Sequence, residues 1–349
     1  MMGARTLAAA LAALGIAVPA AAFNPGQTAH SARELSTPFT IAVLPDTQMY
    51  SDDPALTVHF EKQVEWVLAQ REALNIVFVT HLGDVVDIGT DPGQWERAMG
   101  ALRPLLEQHE LPLSIVRGNH DDPATFLEHL PPDAKAARKW TVGASPSGLA
   151  RAQIFKVESL RFLHLGLQVD PTPADLAWAD ALLASPDYAY LPVVVSTHDY
   201  LGLGARTAVG RGLWESFVSV HPMIFMVLNG HVHGEAARVS HDAAGRPVYQ
   251  MLSDYQDRNF GGNGLLRLVT VDPVAGEMRV RTFSPWWRTT APDGTAIYEP
   301  GYFETDWNSE FTFSLNVRER LAWDTTWDFG PEPPPPPPPA LDPIHRAED

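Results

Sequence analysis

The chain has 349 residues, with 25 Lys and Arg against 42 Asp and Glu, a formal net charge of −17, and no cysteine. An acidic surface of that size repels polyphosphate backbones, which argues against a protein that grips long nucleic acid through a basic groove. Without thiols there are no disulfides, thiolate metal sites or cysteine nucleophiles, so any metal must be held by His, Asp, Asn or Gln.

Residues 1–22 carry one cation, Arg5, an apolar run from Leu7 to Val18, and small residues at Ala20 and Ala22. This pattern predicts a secretory signal peptide cleaved after Ala22 and a secreted or periplasmic protein. The apolar run is too short to span a bilayer and ends at Pro19, and no later stretch predicts a membrane span.

Five short apolar runs follow in chain order: Phe39 to Leu44, Ile76 to Val79, Leu113 to Val116, Val193 to Val195 and Ile224 to Leu228. Runs of that length read as strands buried on both faces. Helical patterns lie between them, over 54–73 opening at Pro54, over 93–109, and over 173–184 opening at Pro173. Strand, helix, strand in repetition predicts an α/β domain with a largely parallel central sheet. After Gly234 come alternating segments, Arg246 to Leu252, Gly264 to Val271, Glu277 to Phe283 and Phe311 to Val317, expected as antiparallel strands of a second sheet. Five of the ten tryptophans fall between Trp286 and Trp327; packing of that sheet is the expected role, a carbohydrate-stacking surface the alternative. From Pro331 the chain reads as a solvated polyproline II tail over 331–349, which leaves 36–330 to form the folded domain.

Each of the five buried strands is followed at once by a polar cluster: PDTQ with Asp46 and Gln48, GDVVD with Asp84 and Asp87, GNHD with Asn119, His120 and Asp121, STHD with His198, and GHVH with His231 and His233. The carboxyl ends of strands in an α/β sheet form the usual ligand crevice, so these clusters are placed to converge. The glycines before Asp84, Asn119 and His231 are expected to make tight turns. Loops that are merely solvated favour Ser, Asn, Lys and Glu, whereas these repeat Asp, Asn and His. Asp46, Gln48, Asp84, Asn119, His198, His231 and His233 offer seven oxygen or nitrogen donors. That is too many for one tetrahedral zinc but enough for two metals that share a carboxylate. His231 and His233, two apart in an expected extended segment, would leave the same face. His81 is a candidate for a supporting role beside the GDVVD cluster.

These residues resemble the calcineurin-like metallophosphoesterase superfamily, whose pattern is D-x-H, G-D, G-N-H-D/E, H and G-H-x-H in that order. The resemblance covers roughly residues 39 to 260. It implies a four-layer α/β/β/α sandwich of two mixed sheets flanked by helices. It also implies one divalent metal on Asp46, Gln48, Asp84 and His233 and a second on Asp84, Asn119, His198 and His231, with Asp84 as the bridge. The metals would be drawn from Mn, Zn, Fe or Ca. The reaction implied is hydrolysis of a small phosphoester, mono- or diester, by a hydroxide bridging the two ions. His120 would act on the phosphoryl or leaving group and Asp87 would orient it. The sequence departs from the pattern at Gln48, where an amide oxygen replaces imidazole and favours a harder ion. A catalytically weakened metal- or phosphate-binding protein on the same fold is therefore the alternative. It departs also at Ile88, where calcineurin-type protein phosphatases resemble one another in having an Arg.

Overall fold

The computed structural model describes residues 35–132, 138–316, 320 and 321; the leader and the proline-rich tail lie outside the described residues. In chain order these residues form β1 (Phe39–Leu44), α1 (Gln48–Asp52), α2 (Thr57–Gln70), β2 (Ile76–His81), α3 (Pro92–Glu107), β3 (Leu113–Ile115) and α4 (Pro123–His129). Next come β4 (Thr141–Ala144), β5 (Arg151–Val157), β6 (Leu160–Gly166), α5 (Pro173–Ala184), β7 (Val193–Ser196), α6 (Ala208–Ser216) and β8 (Ile224–Asn229). The strands β9 (Gly234–His241), β10 (Pro247–Asp254), β11 (Leu266–Asp272), β12 (Glu277–Thr290), β13 (Ala296–Glu304) and β14 (Glu310–Ser314) follow.

Three helices start on an oxygen cap followed by proline. Asp91 accepts from the N–H groups of Gly93 and Gln94 ahead of α3, Asp122 from Ala124 and Thr125 ahead of α4, and Thr172 and Asp175 form a capping box on α5. Pro54 does not open a helix as the sequence suggested. It sits in a turn, and the expected single helix over 54–73 begins at Thr57 behind the separate short α1.

The strands make two seven-stranded sheets. One runs β13-β12-β11-β1-β2-β3 with β14 also on β12; the other runs β4-β5-β6-β7-β8-β10-β9. The fold is the four-layer sandwich, but the strands divide differently from expectation. The five apolar runs do not share one sheet: β1, β2 and β3 are parallel in the first, β7 and β8 parallel in the second. The segments after Gly234 also split, β10 joining β8 in parallel and β11 to β14 extending the first sheet. Apolar texture registers burial on both faces but not which sheet supplies it.

Residue alternation builds three apolar layers. Ala42 and Leu44 of β1 pack with Phe60, Val64 and Trp95 under α2 and α3. Ile41 and Val43 face inward against Phe78, Phe155, Phe162 and Val194, filling the space between the sheets. Val193 and Val195 face the other way, with Leu183 of α5 and Leu213 of α6. The tryptophans are less buried than expected: Trp286 and Trp287 are half-buried against Tyr298 and Tyr302, and Trp307 is 81% exposed.

One polar chain crosses the apolar layer. Thr80 Oγ1 of β2 donates to Ser196 Oγ of β7 (2.9 Å); that hydroxyl meets His164 Nε2 of β6 (2.9 Å), and His164 Nδ1 donates to Gln153 Oε1 of β5 (3.0 Å). Thr80 and Ser196 lie near the carboxyl ends of their strands, so this bridge pins the two sheet edges from which the polar loops emerge.

Burial pushes the His164 imidazole down to about 3, so the folded state holds it neutral. A base with a depressed folded pKa contributes stability above its unfolded value near 6.5, lost as pH falls from there toward 3. Wild type should therefore lose about 2 kcal/mol between pH 7 and pH 5 from this group alone. Urea unfolding at both pH values should show the total loss smaller by about that amount in His164→Gln, other buried histidines such as His81 keeping their share; an equal loss in the variant would assign the acid sensitivity elsewhere.

Candidate metal centre

The polar clusters leave the carboxyl ends of parallel strands in both sheets. Asp46 follows β1 and Gln48 opens α1; Asp84 follows β2, Asn119 follows β3, His198 follows β7, and His231 and His233 follow β8. Asp84 (φ +50°) and His231 (φ +71°) adopt the left-handed backbone that non-glycine residues rarely occupy. The expectation of an extended GHVH segment is thus corrected: residues 231–233 are a bend, kinked at His231.

Gly83 is left-handed (φ +105°) as a tight turn requires, whereas Gly118 and Gly230 serve close approach. A Cβ on Gly118 would lie 2.0 Å from Asp84 Oδ1, and one on Gly230 would lie 2.0 Å from Asp46 Oδ1. Both carboxylates are almost wholly buried.

Asp84, His198 and His231 each present a ligand atom within 4.8 Å of the others. His198 Nδ1 donates to the Leu82 carbonyl (2.8 Å), which fixes the tautomer and leaves Nε2 for a cation. That nitrogen lies 2.9 Å from Asn119 Oδ1 and 3.2 Å from Asp84 Oδ2. All four residues of the second implied set are therefore gathered. Burial opposes charge on His198, but Asp46 and Asp84 prevail and push its pKa to about 10; Asp84 in turn is held below the usual carboxylate range by His198 despite burial. A pocket that draws a proton onto an imidazole in this way carries surplus negative charge, the electrostatic condition for a divalent ion.

The first set is only partly gathered. Asp46 Oδ2 accepts from the His231 N–H (3.1 Å), while its Oδ1 is buried with no donor. Gln48 Nε2 donates to Asp87 Oδ1 (3.2 Å), which orients the amide and leaves its buried Oε1 bare. Bare buried oxygens are costly without a cation, so both atoms fit a metal. His233 is half exposed, with Nδ1 2.5 Å from Asp257 Oδ2 and Nε2 on the Gln256 side chain. A carboxylate behind a ligating imidazole is a common arrangement.

His120 borders this pocket. Its backbone N–H donates to Asp84 Oδ1 (2.9 Å), and its ring Nδ1 donates to the Asp87 carbonyl (2.7 Å), with the Asp87 carboxylate at 3.3 Å. The main chain of Asp87, more than its side chain, sets the ring and leaves Nε2 free. Ile88 is 52% exposed.

Three supporting residues were not assigned from sequence, or only weakly. Asp121 accepts from the N–H groups of Val85 and Val86 on Oδ1 and of Gly118 on Oδ2, tying the GDVVD loop to the GNHD loop. His81, driven down to about 3 chiefly by burial, accepts from the Gly83 N–H and donates to Thr47 Oγ1, tying GDVVD to PDTQ. Asp254, at the end of β10, is 1% exposed and carries a bare oxygen. Its strand is interrupted by the polar Gln250, so nothing marked it in sequence as a buried parallel strand whose end should be searched.

The family model described as calcineurin-like phosphoesterase matches residues 39–235. The chain is 28% identical over 301 residues to the uncharacterized protein YvnB of Bacillus subtilis, an alignment covering 81% of this chain and 22% of that protein. Among solved structures it is similar to purple acid phosphatase PPD1 from yellow lupin (13% identity, TM-score 0.48, 81% of this chain and 55% of that one). It is also similar to a dimetal phosphatase from Danio rerio (13% identity, TM-score 0.46, 75% and 98%). The chain thus spans about a fifth of YvnB and about half of the lupin enzyme.

Since a Cβ at residue 230 would occupy the place of Asp46 Oδ1, Gly230→Ala should displace that carboxylate and weaken binding of at least one divalent ion by roughly 10-fold or more. Equilibrium dialysis with Mn²⁺, alongside an unchanged circular dichroism spectrum, checks this; unaltered binding would remove Asp46 from the site.

Proposed function

The chain belongs to the calcineurin-like phosphoesterase family of metal-dependent phosphoester hydrolases, and we propose that it hydrolyses a small phosphoester with two divalent ions, one on Asp46, Gln48, Asp84 and His233 and the other on Asp84, Asn119, His198 and His231. The observation that carries this reading is the convergence of Asp84, His198 and His231 beside the bare buried oxygens of Asp46 and Gln48. When bound, the ions lower the pKa of water and relieve charge on the phosphoryl oxygens. The bare Gln48 oxygen favours ligation by the amide, and so favours an enzyme over a weakened binding protein.

The chain's own residues supply the rest. His120 holds its Nδ1 proton on the Asp87 carbonyl, which aims Nε2 outward, where in the imidazolium form it can give a proton to the leaving oxygen. Ile88 provides no cationic clamp, which sets this site apart from the calcineurin-type protein phosphatases. The leader pattern in residues 1–22 supports a place outside the cytoplasm. Among the described residues no helix is long and apolar enough to cross a membrane.

A screen of aryl phosphate mono- and diesters with Mn, Zn, Ca and Mg tests the activity; no turnover with any ion would contradict it. In the active combination, His120→Gln should lower kcat by roughly 10² to 10⁴ at unchanged metal content. Loss of metal in step with rate would make His120 a ligand instead.

A further inference from the structure

The end of β10 carries a buried carboxylate, Asp254, that the family's ligand pattern does not include. β10 runs parallel to β8, with Leu252 beside Asn229 just ahead of Gly230 and His231, and antiparallel to β9, with Asp254 opposite Gly234. Asp254 is therefore a ladder neighbour of the GHVH bend. Its Oδ1 accepts from the Gln256 N–H (3.0 Å), while Oδ2 is buried and has no donor. Asp46 Oδ1 and Gln48 Oε1 are in the same condition.

We propose that Asp254 is a direct oxygen ligand of the first ion, beside Asp46 and Gln48. The inference rests on the two-metal reading above. It accounts for the tolerance of Gln48: the amide, neutral like the imidazole it replaces, is a weaker donor, and a further carboxylate adds negative charge and a ligand atom. The resulting oxygen-rich set suits a harder ion such as Mn or Ca. It also gives the bare Oδ2 a role, since a carboxylate buried for structural reasons would be expected to take a donor on each oxygen, as Asp121 does.

Asp254→Asn separates a ligand from a structural acid. Asparagine keeps the oxygen that accepts from Gln256 and replaces the bare oxygen with an NH₂ group. Without metal, the variant should melt at the wild-type temperature or above it, because a buried carboxylate with an undonated oxygen is replaced by a neutral group. Mn²⁺ titration by calorimetry should show one of the two sites weakened by more than roughly 100-fold, beyond the 10- to 100-fold typical of outer-shell partners, with the other site unchanged. Asp254→Glu should recover part of that loss, and Mn²⁺ should raise the melting temperature of Asp254→Asn less than that of wild type. A metal-free Asp254→Asn that unfolds, or melts below wild type, would mark Asp254 as structural and overturn the inference. Two full-affinity sites in the variant would overturn it and leave the two-metal reading standing. Fewer than two Mn²⁺ on wild type would overturn both.

Discussion

The organising constraint is that two ionisable carboxylates, Asp46 and Asp84, are buried against backbone that leaves no room for a side chain. Asp84 Oδ1 lies only 2.0 Å from where a Cβ on Gly118 would be, and Asp46 Oδ1 the same distance from one on Gly230. Burial of this kind is unfavourable unless compensated. Part of the compensation is visible: the His231 N–H on Asp46, the His120 N–H on Asp84, and the His198 imidazole against Asp84. The rest is missing from the atoms of the described residues, and the pair of divalent ions we propose would supply it. The left-handed backbone at Asp84 and His231 shows that the surrounding structure enforces conformations the residues would not choose alone.

Those surroundings are built in layers. The apolar filling between the sheets fixes their spacing, and the Thr80–Ser196–His164–Gln153 chain fixes how their carboxyl edges align. His81 and Asp121 then splice the three loops of the first sheet to one another through backbone N–H groups and the Thr47 hydroxyl. The proposed metal ligands, contributed by two sheets, can keep a common geometry only if the sheets cannot slide, so the buried polar links would serve the site as much as the fold.

The fold class was legible because burial on both faces leaves continuous apolar runs, and the clusters were legible because each follows such a run. β1, α5 and the helix start at Pro92 fall close to where periodicity and capping residues place them. What stayed hidden depended on pairing at long range. Nothing local in Val193–Ser196 says that it joins a different sheet from Ile76–His81, and Gln250 disguised β10 as a half-exposed strand. Asp254 and Asp121 were missed for the same reason, since their roles come from partners distant in sequence. The extended reading of GHVH failed because a left-handed histidine has no signature in composition.

The account turns on two ions sharing Asp84. Anomalous diffraction from crystals grown with Mn²⁺ measures this directly. Two peaks roughly 3.5 to 4 Å apart with the Asp84 carboxylate between them is the predicted result. A single peak, or two peaks that Asp84 does not bridge, would contradict it.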